Sequence, residues 1–245
     1  MNKELYSDYN NFAWVYNRHW GSYSKSIVPV LEKLIFPYIP QNGKILDLCC
    51  GTGQLANSLT EKGYDVTGID GSEEMIKFAR ENAPKANFLI EDARSFDFST
   101  CFNATLSVFD SLNHLMELKE LEAVFKNVYS VLNPGGLFLF DLNMEEGFEK
   151  QWDKSSFNMV EDDHVCAVRS CYDRDNKIGK FEITIFRQLK VWERTDVTLC
   201  QRCYSEVEVV SVLEKTGFKE IEVLDAITDL GLKDVGRTYF LGKRK

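Results

Sequence analysis

The stretch that most constrains this chain is Lys44–Ala56, KILDLCCGTGQLA. Lys44–Leu48 is a short apolar run with one acid, Asp47, near its end, as expected of a strand buried in a parallel sheet. Gly51 and Gly53 permit a sharp turn and a close approach of backbone to a ligand. Gln54–Lys62 places Leu55, Ala56 and Leu59 on one helical face, and Gly63 stops the helix. A strand, a glycine loop and a helix in that order form a cradle for a nucleotide, with loop amides and a helix N-terminus offering donors to an anionic group. Gly51-Thr-Gly53-Gln-Leu-Ala56 satisfies the relaxed dinucleotide fingerprint, so NAD or FAD is a candidate ligand.

The continuation of the chain supports an open α/β sheet. Tyr64–Asp70, YDVTGID, reads as a second strand ending in an acid roughly twenty residues past the loop, where a carboxylate meets a ribose diol. Ser72 caps a helix with Glu73 and Glu74 in its first turn and Met75, Ala79 and Ala83 on its inner face. Ala86–Ile90 is a third strand, followed by Glu91-Asp92-Ala93, and Asn103–Phe109 is a fourth, leading into Asp110-Ser-Leu-Asn-His-Leu115. His114, one of three histidines, therefore falls at the mouth of the crevice, where it can take a proton or cap the next helix. Glu117–Leu132 carries Leu118, Leu121, Phe125, Val128 and Leu132 at helical spacing, and Asn133-Pro-Gly-Gly136 turns it into a fifth strand, Leu137–Leu142.

The helix–strand alternation then breaks. His164–Tyr172, Lys180–Val191 and Val197–Tyr204 read as consecutive strands with turns at 173–177 and 193–196, which argues for an inserted antiparallel sheet. The last helix is expected over Ser205–Lys215, with closing strands at Ile221–Ala226 and Thr238–Gly242. Before the first strand, Tyr6, Tyr9, Phe12, Ala13, Tyr16 and Trp20 recur at three- and four-residue spacings, and a second helix is expected over Val28–Phe36. These aromatics either pack on the sheet or close over a small-molecule site.

Taken together, Asp47-Leu-Cys-Cys-Gly51-Thr-Gly53, GIDGSEEMIKFAR, the Pro-Gly-Gly turn, and the ending of helix, Gly217-Phe218 and Tyr-Phe-Leu-Gly-Lys strand resemble the class I S-adenosylmethionine-dependent methyltransferases. Cys49 stands where that family usually has the first of three alternate glycines. FAWVYNRHW and the His114 loop look like the corresponding segments of sugar amine N-methyltransferases and their relatives. The resemblance implies a Rossmann-like, doubly wound α/β sheet with a reversed C-terminal hairpin and an inserted antiparallel β-sheet lid. Residues 1–144 and 205–245 would form the methyltransferase domain, 1–40 its helical lid and 145–204 the insert. It also implies S-adenosyl-L-methionine as cofactor, held at Tyr16, Cys50, Gly51, Gly53, Asp70, Gly71, Met75, Asp92, Ala93 and Phe109. The methyl would pass directly to a small-molecule acceptor, with His114 and Tyr16 as the catalytic pair. Rival functions are an NAD-dependent oxidoreductase and a non-catalytic S-adenosylmethionine-binding module.

Composition narrows the partners. Of 245 residues, 29 are Lys or Arg and 38 are Asp or Glu, a net charge of −9 that disfavours a nucleic-acid backbone. No apolar run reaches membrane-spanning length, and the N-terminus lacks a secretory core, so a cytoplasmic enzyme is expected, as monomer or homodimer. Seven cysteines suit a reducing compartment. No metal site is expected from Cys200 and Cys203, because their three-residue offset on strand-like sequence points them to opposite faces.

Overall fold

The structure, a computed structural model, describes residues 7–245, so Tyr6 lies outside the described residues. Five strands are interleaved with three helices, with none between β3 and β4: β1 (Lys44–Leu48), α3 (Gln54–Glu61), β2 (Asp65–Asp70), α4 (Glu73–Asn82), β3 (Asn87–Ile90), β4 (Phe102–Ser107), α5 (Leu118–Val131) and β5 (Leu132–Asn143). Two helices precede them, α1 (Ser7–His19) and α2 (Val28–Leu34), joined by a 3-10 stretch over Gly21–Ile27. Helix α7 (Glu206–Thr216) leads into β10 (Lys219–Asp225) and β11 (Arg237–Lys243). The seven strands form one sheet in the order β3-β2-β1-β4-β5-β11-β10, with β11 antiparallel to β5 and to β10. This is the expected doubly wound sheet with a reversed terminal hairpin. Its strand order reverses between β1 and β4, the place where open α/β sheets bind ligands at their carboxyl ends.

Both faces of the sheet are apolar because both are covered. Phe125, Phe138, Phe140, Phe218 and Phe240 belong to one core cluster, which also takes in apolar residues of α5 and α7. Leu31, Ile45, Leu55, Leu59, Ile76 and Leu139 belong to the other, with α2, α3 and α4. Each of these side chains is fully buried, which contributes roughly 1.5–3 kcal/mol per large aliphatic or aromatic residue. The expected Pro-Gly-Gly turn is a loop-out within β5: Leu132 pairs with Phe102 and Leu137 with Ala104, while Gly135, at φ +77°, donates to the Arg244 carbonyl.

Between β5 and α7 lie α6 (Glu145–Gly147), a π-turn at Phe148–Trp152 and a separate four-stranded antiparallel sheet. Its strands are β6 (Ser155–Glu161), β7 (His164–Asp173), β8 (Ile178–Gln188) and β9 (Trp192–Arg202). Strand β6 escapes the sequence reading because it is an edge strand with almost every side chain exposed. The turn expected at 193–196 is instead part of β9. Its charged residues sit on a solvated ladder, where Asp196 pairs with Arg194 and accepts the Thr184 hydroxyl across the strands, and the real turn spans 189–191.

Helix α1 is wedged between this second sheet and α4. Phe12, Ala13 and Val15 pack with Met75 of α4 and with Cys166, Val168, Ile183, Ile185, Val197 and Leu199 of the second sheet. Asparagines fix it from the other side. Asn10 accepts the Ser72 hydroxyl at 2.7 Å, and Asn17 accepts from the Gln54 and Asn82 amides, each at 2.8 Å.

The two loop glycines serve different ends. Gly51, at φ +52°, faces the Tyr16 ring, which a Cβ would meet at 3.4 Å. Gly53, at φ +83°, gives its space to α4, where a Cβ would stand 2.9 Å from the Ala79 Cα. Gly53→Ala should therefore lower stability by about 2–4 kcal/mol, the sum of left-handed strain and a backbone clash. Urea unfolding checks it, and an unchanged midpoint would show that α4 can move aside.

Candidate active site

A cavity of about 410 Å³ opens at the carboxyl ends of β1, β2 and β4, between the main sheet, α1 and the second sheet. Tyr16, Gly51, Asp70, Gly71, Met75, Ala93, Phe109 and His114 line it. Cys50, Gly53 and Asp92 do not, and Cys49 and Glu91 stand in the lining beside them. The Cys50 thiol is buried, and a Cβ on Gly68 would meet its sulfur at 3.0 Å. Asp92 turns to Arg94, accepting from its backbone N–H at 2.9 Å and its guanidinium at 2.6 Å. Burial alone would raise the Asp92 carboxyl, but Arg94 holds it below the usual carboxylate value.

Asp70 sits where β2 ends. Its Oδ2 accepts the Gly51 N–H at 3.0 Å and its Oδ1 the Ser72 N–H at 2.9 Å, so the carboxylate ties the glycine loop to the cap of α4. Burial pushes this carboxyl up to about 6, against the pull of those two amides. Asp47, fully buried behind the loop, is pushed up to about 8 by burial and then by Asp70, and its Oδ2 has no hydrogen-bond partner. These features fit an S-adenosylmethionine nucleoside. The Asp70 carboxylate lines the cavity at the end of β2, Gly51 lies under the Tyr16 ring, and Met75, Glu91 and Ala93 line the wall beside them.

The opposite wall is built from residues far apart in sequence. His114 ends a 3-10 turn, Ser111–His114, and its Nδ1–H donates to the Cys200 carbonyl of β9 at 2.8 Å. That fixes the tautomer: Nε2 is left as an acceptor and receives a hydrogen bond from the Tyr9 hydroxyl at 2.6 Å. Burial, opposed by Asp110 and the Cys200 carbonyl, lowers the His114 pKa, so the ring is neutral at neutral pH. Tyr9 is a partner that the sequence reading placed only among the lid aromatics. Tyr16 lies beside Phe109, with ring centroids 6.3 Å apart, and makes no contact of this kind with His114.

Phe109 and Asp110 both adopt left-handed backbone angles, φ +68° and +50°, an uncommon and costly state for two consecutive non-glycine residues. Asp141, at the end of β5 and with no exposure, holds them there. Its Oδ1 accepts the Phe109 N–H at 2.6 Å and its Oδ2 the Asp110 N–H at 3.0 Å. Arg237 at the start of β11 pairs with Asp141 through Nη1 and with Asp110 through Nη2, the latter at 2.8 Å. Gln201 of β9 completes the group by donating to Asp110 Oδ2 and standing 3.3 Å from His114 Nε2. Asp110, Asp141, Gln201 and Arg237 have no local signature.

Asp141→Ala should leave a buried guanidinium half-paired and two amides without an acceptor, at a cost of about 3–5 kcal/mol. Chemical denaturation measures this. A loss under about 1 kcal/mol would mean that the 109–110 turn holds itself.

Comparison with known proteins agrees with this architecture. A family model described as a methyltransferase domain matches residues 45–136. The chain is 33% identical over 230 residues to the Bacillus subtilis protein named "Putative methyltransferase YqeM", covering 90% of each chain. A shorter match, 32% identity over 111 residues and 45% of this chain, is to the Streptomyces venezuelae dTDP-3-amino-3,4,6-trideoxy-alpha-D-glucopyranose N,N-dimethyltransferase, of which it covers 47%. A solved S-adenosylmethionine-dependent methyltransferase of Clostridium acetobutylicum superposes with a TM-score of 0.77 at 23% identity, over 96% of this chain and 98% of that one. The dinucleotide reading of the glycine loop is thereby set aside, and the chain belongs to the class I S-adenosylmethionine-dependent methyltransferases.

Proposed function

We propose that this enzyme methylates a small-molecule amine in the cytoplasm, as a monomer or homodimer. The observation that carries this reading is the cavity itself, with a ribose-type carboxylate on one wall and a proton-accepting chain on the other. No helix of the described residues is long and apolar enough to cross a membrane. The net charge of −9 supports a partner other than nucleic acid.

S-adenosylmethionine, when bound, supplies an electrophilic methyl on a sulfonium sulfur. Asp70 would accept the ribose hydroxyls, Gly51 and Gly71 would give the backbone room, and Met75, Ala93 and Phe109 would border the adenine and the methionine chain. Tyr16 would close over the loop. The remaining work falls to the opposite wall. An amine must present its lone pair, and the Tyr9 hydroxyl has free lone pairs to receive an amine N–H. Tyr9 can then pass its own proton to His114 Nε2, and the Cys200 carbonyl holds the imidazole through Nδ1–H. Helix α1 and the second sheet exclude water and fix the orientation, the larger part of catalysis for a direct displacement. Residues 145–204 would act as the acceptor-side roof and residues 1–40 as the lid.

Calorimetry with S-adenosylhomocysteine and with NADH tests the cofactor assignment. The former should bind and the latter should not. Asp70→Ala should weaken S-adenosylhomocysteine binding by about 1–3 kcal/mol through loss of a charged acceptor. The pH dependence has a definite sign. The ionised carboxylate accepts both hydroxyls, so affinity should fall as pH drops through about 6, the raised Asp70 value. A flat profile from about pH 5 to about pH 8, which spans the raised Asp70 value and lies above the ordinary aspartate range, would remove Asp70 from the ribose.

Turnover of an accepted amine separates the two wall residues from the cofactor site. Tyr9→Phe and His114→Ala should each lower kcat by about 10²-fold while leaving S-adenosylhomocysteine affinity intact. In the wild type, activity should decline on the acid side as Nε2 takes a proton below the ordinary histidine value of 6.5. Wild-type kcat in both variants would return Tyr9 and His114 to a purely structural role.

A further inference from the structure

The acceptor half of the cavity has a chemistry of its own. Trp20 of the lid, Phe157 of β6, Phe181 of β8 and Trp152 of the π-turn form a continuous aromatic wall. Neighbouring ring centroids along it are 6.4, 6.1 and 5.3 Å apart. Phe157 is 42% exposed, an unusual state for a large apolar ring that faces a cavity. Such a wall binds a flat apolar body, and its ring faces also attract a cation.

Charge points the same way. Asp110 and Asp234 face this half, and among the described residues Arg237 is the one Lys or Arg in the cavity lining. It is not available to an anionic ligand. Both terminal nitrogens are engaged by Asp110 and Asp141, its Nε is buried without a partner, and its plane lies 5.6 Å from the Tyr23 ring and 5.7 Å from Phe109. Asp234 accepts a hydrogen bond from the Tyr23 hydroxyl. A diphosphate or carboxylate entering here would meet two acids and no free donor cation. A cationic amine would meet acids, ring faces and, at Tyr9 and His114, the proton acceptor it needs before it can attack. A carboxylate nucleophile carries no proton to lose and has no use for that acceptor.

We propose that the acceptor is a cationic amine borne on a flat apolar body, and that this site excludes phosphate-bearing and carboxylate acceptors. The inference rests on the methyl-transfer reading above. It separates this enzyme's substrate class from the nucleotide-linked amino sugar in the name of the Streptomyces venezuelae relative, which this chain matches over under half its length.

The test compares two probes that share a ring and differ in charge, tryptamine and indole-3-acetate, together with thymidine diphosphate. Each is titrated into the full-length protein saturated with S-adenosylhomocysteine. Tryptamine should bind about tenfold or more tighter than indole-3-acetate, a gap of about 1.4 kcal/mol, and thymidine diphosphate should not compete with it. Asp234→Asn should narrow the charge preference about threefold without changing S-adenosylhomocysteine affinity. Phe157→Leu should weaken both indoles by a similar factor and leave their ratio unchanged. Equal or tighter binding of indole-3-acetate or thymidine diphosphate overturns the proposal. So does failure of tryptamine to bind at millimolar concentration while S-adenosylhomocysteine binds normally. Failure of S-adenosylhomocysteine itself overturns the cofactor reading, and the substrate class with it.

Discussion

The Asp141 carboxylate accepts two successive amide protons and pairs with a buried guanidinium, and the site's geometry depends on that one group. Without it, the backbone at 109–110 would lack the acceptors that hold two consecutive left-handed residues. That turn aims Phe109 into the cavity and starts the 3-10 turn that carries His114. Arg237 spans Asp141 and Asp110, so β11, the last strand, is tied to the loop after β4. Gln201 and Cys200 tie the second sheet to the same loop. Three elements distant in sequence therefore converge on a single buried charge cluster whose members are all satisfied except Arg237 Nε and which is expensive to break.

The sheet was legible because its signals are local. A buried parallel strand such as β1 needs continuous apolar residues, a glycine loop needs positive φ, and α5 needs three-four spacing. All of these are written within a dozen residues. The cavity wall beside the glycine loop was legible for the same reason: Gly51, Asp70 and Met75, which line it, lie on consecutive segments of one β-α-β-α unit. The acceptor side was not. Tyr9 meets His114 across 105 residues, and Arg237 meets Asp110 across 127. No periodicity encodes such a meeting. Strand β6 was missed because an exposed edge strand has no buried face to set an alternation. Cys50 and Asp92 show how a family position can be occupied by the expected residue while the cavity is lined by its neighbour, here Cys49 and Glu91.

Two acids beside the glycine loop set the electrostatics of the nucleoside half. Folding raises the Asp47 and Asp70 carboxyls above their ordinary value, so ionising them opposes the folded state. That cost is full above about pH 8 for Asp47 and above about pH 6 for Asp70, and it shrinks as pH falls from those values toward the ordinary 3.8. At neutral pH Asp47 is protonated and Asp70 is charged. The pair thus presents one negative charge, stationed at the cavity wall and backed by a neutral acid, which suits a ligand that carries a positive centre.

Helix α1 touches every part of this arrangement. Asn10 and Asn17 hold the nucleoside loops. On its other flank, His19 and His164 of β7 share a hydrogen bond between their Nε2 atoms at 2.6 Å, and Asp163 accepts from the His164 Nδ1–H at 2.6 Å. Tyr9, Phe12 and Tyr16 project from the same helix into the cavity, and Trp20 stands just past its end. A rigid rod pinned to both compartments cannot uncover one and leave the other closed. Lifting it to release a nucleoside also strips the aromatic wall of Trp20 and parts Tyr9 from His114. Ligands held in the two compartments would be thermodynamically linked through this one helix, each holding the door for the other.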